Sequence, residues 1–373
     1  MEIKAWIKKS VDENVWRITN DRVLQCFMAG AFSLLLIILI LCSAEEFVTA
    51  DICYGLLESL FSGDDVNTLP NVLFLIPPYI FSPDLNTFRY LFSLYGFAFY
   101  MLGGHFMLKS CRLTGYSEKD AYILLFIMFL CSLHSMLQCT GPYAAALMIL
   151  SLWFFQGRSY LVSFALLGLA TAGGVYPVLL FPIYLVLGRQ DLREKVPGMI
   201  VYLAVVLVFI LAPKIEMCQT DIFMIGESAS YLSILDLDLD TVPSLIAGIV
   251  IGIIALIFVF LKTGPHDGTI HDAACLLWTI LVPILLLSTA HTDAFFVWIV
   301  MLFPMTQMCE KRSMYLPPAY GMFVLFCVLS GISIFISAGS EMYDTVMFSR
   351  AFSLAALWIL TVSEYIDVKK SGV

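Results

Sequence analysis

Charged side chains are scarce in this sequence: only 13% of its 373 residues are Asp, Glu, Lys or Arg, whereas 60% are hydrophobic. Soluble globular proteins carry about 25% charged residues, so the composition excludes an ordinary soluble domain. Each helix that crosses a bilayer needs about 20 mostly apolar residues, and many stretches approach that length. We therefore predict an all-α, polytopic integral membrane protein in which residues 1–373 form a single membrane domain.

Sequence motifs that bind nucleotides or build common hydrolase sites are missing as well. The chain has no GxxxxGK[ST] loop, no GxGxxG and no GxSxG. Its ten cysteines include no CxxC pair, and we interpret them as small core residues. A disulfide between outer residues such as Cys53 and Cys218 is the minor alternative. The net charge of −9 and the scattered basic residues argue against a nucleic-acid partner.

The few basic residues are distributed unevenly along the chain. All but three of the twenty Lys and Arg residues fall in clusters separated by pairs of apolar stretches, so each cluster returns to the same side. Cytoplasmic loops are enriched in Lys and Arg, which predicts that this side, with both termini, is cytoplasmic. The exceptions are Arg89, Lys214 and Arg350, on or beside the outer segments. The expected location is the cell membrane of a prokaryote or the endoplasmic reticulum of a eukaryote.

The apolar pattern predicts about 10–12 transmembrane helices, and we favour twelve. The predicted spans are 23–43, 88–108, 120–137, 143–156, 159–172, 174–187, 197–213, 242–261, 272–289, 295–308, 317–337 and 349–366. Residues 1–22 are predicted to form an inner amphipathic segment, and 214–241 a second outer loop. The first outer loop, 44–87, is predicted to hold a surface helix at 48–62. Four prolines argue against a regular span in 70–87, so its apolar part should pack against protein or lie at the interface.

Asp51 is the candidate catalytic residue, because it follows the first span closely and should lie near the membrane plane. A carboxylate there can act as a general base on an acceptor hydroxyl; the alternative is a solvated acid on an acidic loop. Arg89 and Arg350 are candidate phosphate ligands, since arginine binds phosphate in a bidentate manner. The alternative for each arginine is snorkelling toward lipid headgroups.

Two further candidates, His291 and Asp293, lie in an outer turn directly before three aromatic residues, and we expect them to line the site. The inner pairs His266-Asp267 and His271-Asp272 are interpreted differently. No third ligand for a metal ion is evident near them, so an ordinary polar turn followed by a helix start is preferred.

Three segments resemble the GT-C glycosyltransferases, in particular their polyprenyl-phosphate-sugar, mannosyltransferase-like branch. The first is Asp51-Ile52-Cys53-Tyr54 followed by Gly63, Pro70 and Ile76-Pro77-Pro78, similar to that family's outer loop. The second is Leu167-Gly168-Leu169-Ala170 followed by residues 175–182, similar to a paired-helix motif. The third runs from Thr292 through Trp298 to Pro304, similar to a late outer turn with aromatic residues.

The resemblance implies an outward-facing enzyme that moves a mannose-like hexose from a polyprenyl-phosphate donor to a lipid or glycan acceptor. It assigns the base role to Asp51, with Tyr54 beside it, and a donor-phosphate contact to Arg350. It implies no certain cofactor, and a divalent metal ion is left open. Two departures keep alternatives open: Gly173-Gly174 replaces a frequent Lys, and the tip at 139–143 lacks an acid. The alternatives are a non-catalytic GT-C-like subunit of a membrane complex, comparable to the one in the GPI transamidase complex, and a transporter or flippase of lipid-linked substrates.

Overall fold

The computed structural model describes eleven segments of the chain. They are residues 30–33, 48–62, 73–113, 141–174, 176–187, 192–211, 241–263, 269–287, 296–307, 316–333 and 341–370. The predicted amphipathic segment 1–22, nearly all of the second outer loop, and the site candidates His291 and Asp293 lie outside these segments. Every regular element within them is a helix and none is a strand, which confirms the all-α prediction.

Twelve α-helices can be named in the described segments. They are α1 (Val48–Ser62), α2 (Ile76–Ile80), α3 (Leu85–Leu113), α4 (Gly141–Gln156), α5 (Tyr160–Gly173), α6 (Leu180–Val186), α7 (Leu192–Leu211), α8 (Thr241–Thr263), α9 (Ile270–Leu287), α10 (Phe296–Thr306), α11 (Leu316–Ser333) and α12 (Glu341–Lys370). A short 3₁₀ helix, Tyr176–Leu179, precedes α6. Helix α1 coincides with the surface helix predicted at 48–62.

Four helices of the described segments are long and apolar enough to cross a membrane: Leu85–Ser110 of α3, Leu245–Thr263 of α8, the whole of α9 and the whole of α12. Shorter apolar helices accompany them in α4, α5, α11 and the 176–186 segment. The protein is therefore a polytopic membrane protein. The figure of 10–12 crossings stays a prediction.

Helix α9 is the centre of the bundle and is buried over most of its length. It packs against α4, α8, α10 and α12, while α10 also contacts α3 and α4. On one side of this centre α3, α4, α5 and α7 pack in succession, and on the other side α11 packs against α12. The central position of α9 explains why every residue from Asp272 to Leu285 is buried, as expected of a helix surrounded by other helices.

Close contact between α8 and α9 depends on two glycines one helical turn apart. A Cβ atom on Gly248 would lie 2.8 Å from Cα of Ile284, and one on Gly252 would lie 2.8 Å from the carbonyl oxygen of Ile280. Such small residues let transmembrane helices approach each other closely. The other faces of α8 expose aliphatic side chains, among them Ile246, Val250, Ile254 and Leu261, as expected of a helix that faces lipid.

Several helix ends that carry basic residues are fixed by contacts with aromatic rings. Nζ of Lys109, near the end of α3, lies 5.1 Å from the ring centroid of Trp153 in α4. Lys195, at the start of α7, is completely buried, with its Nζ 5.4 Å from the ring of Phe155. The same ammonium donates hydrogen bonds to the carbonyl oxygens of Tyr184, at 2.8 Å, and Leu187. It thus satisfies carbonyls at the end of α6, where no helical donor remains.

Two of the predicted spans that differ from the structure do so for a clear physical reason. The predicted span 174–187 is wrong as one regular helix, because a 3₁₀ turn precedes the short α6; Pro177 and Pro182 each lack the amide hydrogen that a continuous helix needs. The last span was predicted to begin at residue 349, but α12 begins at Glu341. Its first turn carries Glu341 and Asp344, and acidic residues are stabilised by the partial positive charge of a helix N-terminus.

Candidate functional site

The candidate site is built on α1, which contacts α2 and the start of α3. Ala50, Cys53 and Leu57 follow one another at helical spacing and are almost completely buried. These three residues attach one face of α1 to the rest of the protein through apolar contact. The neighbouring face carries Asp51 and Tyr54, so burial of the first face determines where the candidate catalytic residue lies.

Asp51 forms a bidentate ion pair with Arg89 of α3. Nε of Arg89 lies 2.7 Å from Oδ1 of Asp51, and Nη2 lies 2.6 Å from Oδ2. The two residues are 38 positions apart in sequence. The side chain of Arg89 is 18% exposed and that of Asp51 is 33% exposed, so the pair is partly accessible to solvent. The structure thus brings together two residues that the sequence analysis assigned to the site separately.

The position of Arg89 is determined by the way α3 begins. Pro83 precedes the helix, and Oδ1 of Asp84 accepts a hydrogen bond of 2.8 Å from the amide of Thr87. This is the geometry of a helix N-cap. Asn86, in the first turn, accepts a hydrogen bond of 3.2 Å from Nη1 of Arg89 through its Oδ1. The guanidinium is therefore held by α3 itself and by α1.

Tyr54 takes part in a cluster of aromatic rings beside the ion pair. Its ring centroid lies 5.3 Å from those of Tyr79 and Phe88. Tyr79 also stacks on Phe61, with 5.3 Å between centroids and 4° between ring planes. Leu75 and Pro78 are buried in the same region. The described apolar part of 70–87 thus packs against protein at Leu75 and Pro78, whereas Ile80 and Phe81 are exposed.

The hydroxyl of Tyr79 and the thiol of Cys53 both resist ionisation. Partial burial, the neighbouring Tyr54 and the charge of Glu58 raise the pKa of Tyr79 above its ordinary value, so its hydroxyl remains a hydrogen-bond donor. Burial raises the pKa of Cys53 to about 12, and this thiol is free. Cys53 is therefore a small core residue, as interpreted from the sequence, and not an activated nucleophile.

Arg350 lies elsewhere in the bundle. It was expected to open the last span at the outer surface, but the earlier start of α12 places it inside that helix, where it is only 2% exposed. Helix α12 packs against α8, α9 and α11, whereas α1 packs against α2 and α3. Such burial argues against the snorkelling alternative, because a snorkelling arginine exposes its guanidinium to headgroups and water.

A buried polar cluster at the start of α9 was not predicted from the sequence. Asp272 is completely buried, and its carboxylate lies 2.9 Å from Nζ of Lys369 in the last turn of α12. It also accepts a hydrogen bond of 2.9 Å from the hydroxyl of Tyr365. The predicted helix start is confirmed, since the amide of Asp272 donates to Oγ1 of Thr269 at 3.1 Å. The sequence features that could have indicated this ion pair are an acid at the start of one apolar span and a lysine at the end of another.

Neighbouring His271 belongs to the same cluster. Its Nε2 lies 3.0 Å from the carbonyl oxygen of Thr306, which requires that this nitrogen carry the proton. The contact joins the start of α9 to the end of α10. Within the described segments, no three His, Cys, Asp or Glu side chains gather closely enough to hold a metal ion.

Comparisons with known families, with curated proteins and with solved structures found no match to this chain. A function must therefore be inferred from the residues and their geometry. The candidate site offers a carboxylate, a guanidinium and a protonated tyrosine hydroxyl within one accessible region. These groups are suited to binding an anion, accepting a proton from a hydroxyl and donating a hydrogen bond.

Proposed function

We propose that this protein is a membrane glycosyltransferase that moves a hexose from a polyprenyl-phosphate donor to a hydroxylated acceptor on the outer face. The observation that carries the proposal is the ion pair between Asp51 and Arg89. It unites the proposed base with a phosphate-binding side chain, in a partly exposed position at the end of a membrane-spanning helix. A lipid-linked phosphate sugar presents its reacting carbon at such a depth, next to the headgroups.

In the proposed reaction Asp51 accepts the proton of the acceptor hydroxyl. The acceptor oxygen forms a bond to the anomeric carbon, while the bond from that carbon to the phosphate oxygen breaks. Polyprenyl phosphate leaves with the electron pair, and Arg89 stabilises its negative charge. Attack on the face opposite the phosphate inverts the anomeric configuration.

In the structure both carboxylate oxygens of Asp51 are engaged by Arg89. The phosphate of the donor is a diester, and its two non-bridging oxygens can accept bidentate hydrogen bonds from arginine as the two oxygens of a carboxylate do. The donor phosphate would therefore compete with Asp51 for the guanidinium. When it binds, the carboxylate becomes available to the acceptor hydroxyl, so donor binding and activation of the base are coupled.

The experiment is a transfer assay with purified protein in lipid nanodiscs and a radiolabelled polyprenyl-phosphate hexose. A correctly placed base contributes about 10²–10⁴-fold, and we expect Asp51→Asn to lose that much. Arg89→Lys keeps the charge but loses the fork, and should raise the KM for the donor. Glu341→Gln, an acid on a different helix, is the matched control and should keep its activity.

A charge swap separates catalysis from structure. In the double variant Asp51→Arg/Arg89→Asp the ion pair can form again with its partners exchanged. A structural pair would tolerate the exchange, whereas a catalytic pair would lose transfer although the protein remains folded. Wild-type transfer rates in the folded double variant would contradict the proposal.

A non-catalytic GT-C-like subunit is the second candidate, favoured by the engagement of both Asp51 oxygens in the structure. If the protein is such a subunit, the wild-type protein should turn over no polyprenyl-phosphate hexose. The charge-swapped double variant should then be as stable as the wild type. A transporter gains less support, because transporters place ionisable residues near the bilayer midplane. Asp272 and Lys369 lie instead in the first turn of α9 and the last turn of α12, and the buried Arg350 within α12 is an exception.

A further inference from the structure

We infer that the acceptor is a glycan with more than one sugar ring, which lies along α1 from Phe61 to Asp51. This inference rests on the proposed function and decides between the lipid and glycan acceptors that it allows. It assigns an acceptor-binding role to Phe61, Glu58 and Tyr79, which the sequence analysis did not connect with the site.

Four residues of the proposed acceptor site share one face of α1. Asp51, Tyr54, Glu58 and Phe61 are separated by steps of three, four and three positions, which places them in a row along a helix. From Asp51 to Phe61 the helix rises about 15 Å, at about 1.5 Å per residue. A single sugar ring that offers its hydroxyl to Asp51 cannot reach Phe61, whereas a chain of rings can.

Phe61 provides a flat surface at the far end of this row. The residue is 56% exposed, yet its ring is held by nearly parallel stacking on Tyr79. Tyr79 is held in turn by Tyr54 and Phe88. The face of an aromatic ring is electron-rich and attracts the C–H groups that line one side of a sugar ring. Because the ring is already ordered, binding costs little conformational entropy.

Glu58 supports a hydroxylated occupant over an acyl chain. It is exposed and lies one helical turn before Phe61, and its charge acts on the hydroxyl of Tyr79. A carboxylate accepts hydrogen bonds from sugar hydroxyls, and the protonated Tyr79 hydroxyl can donate one. An acyl chain would leave the carboxylate next to apolar groups, which is unfavourable.

The test compares hexose acceptors of one, two and three rings in the nanodisc transfer assay. For the wild-type protein kcat/KM should rise with acceptor length. Phe61→Leu should lose about three- to tenfold on the three-ring acceptor, mainly through KM, which corresponds to one aromatic contact. The loss on the one-ring acceptor should be smaller. With Phe61→Trp, kcat/KM should again rise with the length of the acceptor. Phe81→Leu, at another exposed aromatic residue, is the matched control and should behave as wild type.

Direct binding keeps this inference separate from the proposed function. Saturation-transfer NMR titration with the soluble three-ring acceptor should detect binding to the Asp51→Asn protein, and adding Phe61→Leu should raise its Kd about three- to tenfold. If this binding result is obtained but the wild-type protein transfers no hexose, the glycan site is supported and the proposed transferase activity is wrong. If the wild-type protein transfers hexose but neither acceptor length nor substitution of Phe61 changes the rate, the glycan site is wrong and the proposed transferase activity is supported. Protection of Phe61 by lipid alone, without oligosaccharide binding, would also overturn the inference.

Discussion

Trp358 of α12 donates its indole N–H to the backbone carbonyl of Thr279 in α9, with 3.2 Å between Nε1 and the oxygen. In a regular helix this carbonyl would accept from the amide of residue 283, but Pro283 has no amide hydrogen. Inside a membrane, where water is absent, a carbonyl without a donor is costly. The neighbouring helix therefore supplies the hydrogen bond that the proline removes, and the same contact attaches α12 to the centre of the bundle.

Trp358→Phe should destabilise the protein, because it leaves the Thr279 carbonyl without that donor. The expected loss is about 1–3 kcal/mol, the cost of a buried polar group that loses its partner. Thermal unfolding in detergent micelles measures the change. In a Pro283→Ala background the amide of residue 283 can bond to Thr279 instead, so Trp358→Phe should then cost less. Equal losses in both backgrounds would show that the tryptophan acts through packing alone.

Gly252→Ala should destabilise the contact between α8 and α9. The new Cβ would lie 2.8 Å from the carbonyl oxygen of Ile280 and 3.1 Å from its Cα, and backbone atoms cannot move away as a flexible side chain can. Overpacking of this kind typically costs about 1–3 kcal/mol. Gly321→Ala in α11 is the matched control, because nothing lies within 4 Å of its added Cβ. Alanine should stabilise that helix by up to about 1 kcal/mol, so the two changes should shift Tm in opposite directions.

Local pattern was enough to predict most of the described helices. The apolar run at 242–261 matches α8, and the Pro-rich stretch after residue 70 was recognised as irregular, because both depend on residues close together in sequence. The segment 174–187 looked like a span because its side chains are apolar, although its prolines interrupt the backbone. The start of α12 was missed for the opposite reason, since the helix begins among charged residues.

The candidate site was only partly predictable. Asp51 and Arg89 were each singled out, but their pairing depends on how α1 packs against α3, and no local pattern specifies that contact. Arg350 was assigned to the surface because a charge beside an apolar run usually lies at the membrane boundary. The pairing of Asp272 with Lys369 spans 97 positions and was equally inaccessible. Long-range geometry therefore determines both the contact of Arg89 with Asp51 and the burial of Arg350.

The orientation of the chain can be tested by labelling single cysteines in intact cells. Glu58→Cys is predicted to react with an impermeant maleimide, because α1 is expected outside and Glu58 is exposed. Lys370→Cys, exposed at the end of α12, should react only after permeabilisation. The natural Cys53 should stay unlabelled, because it is 4% exposed and its pKa of about 12 keeps the thiol protonated. The reverse pattern at positions 58 and 370 would place the proposed site on the cytoplasmic face.

Lys369→Met should be strongly destabilising, although it adds apolar surface to an apolar protein. It leaves the carboxylate of Asp272 buried without its counter-charge, and breaking a buried ion pair by removing one partner typically costs about 3–5 kcal/mol. Adding Asp272→Asn removes the uncompensated charge while Tyr365 can still donate its hydrogen bond, so the double variant should recover much of the loss. Lys370→Met, at the exposed neighbouring lysine, is the control and should change Tm little. If Lys369→Met and Lys370→Met had the same small effect, the ion pair would contribute nothing to holding α12 against α9, and Tyr365 with Trp358 would have to do so instead.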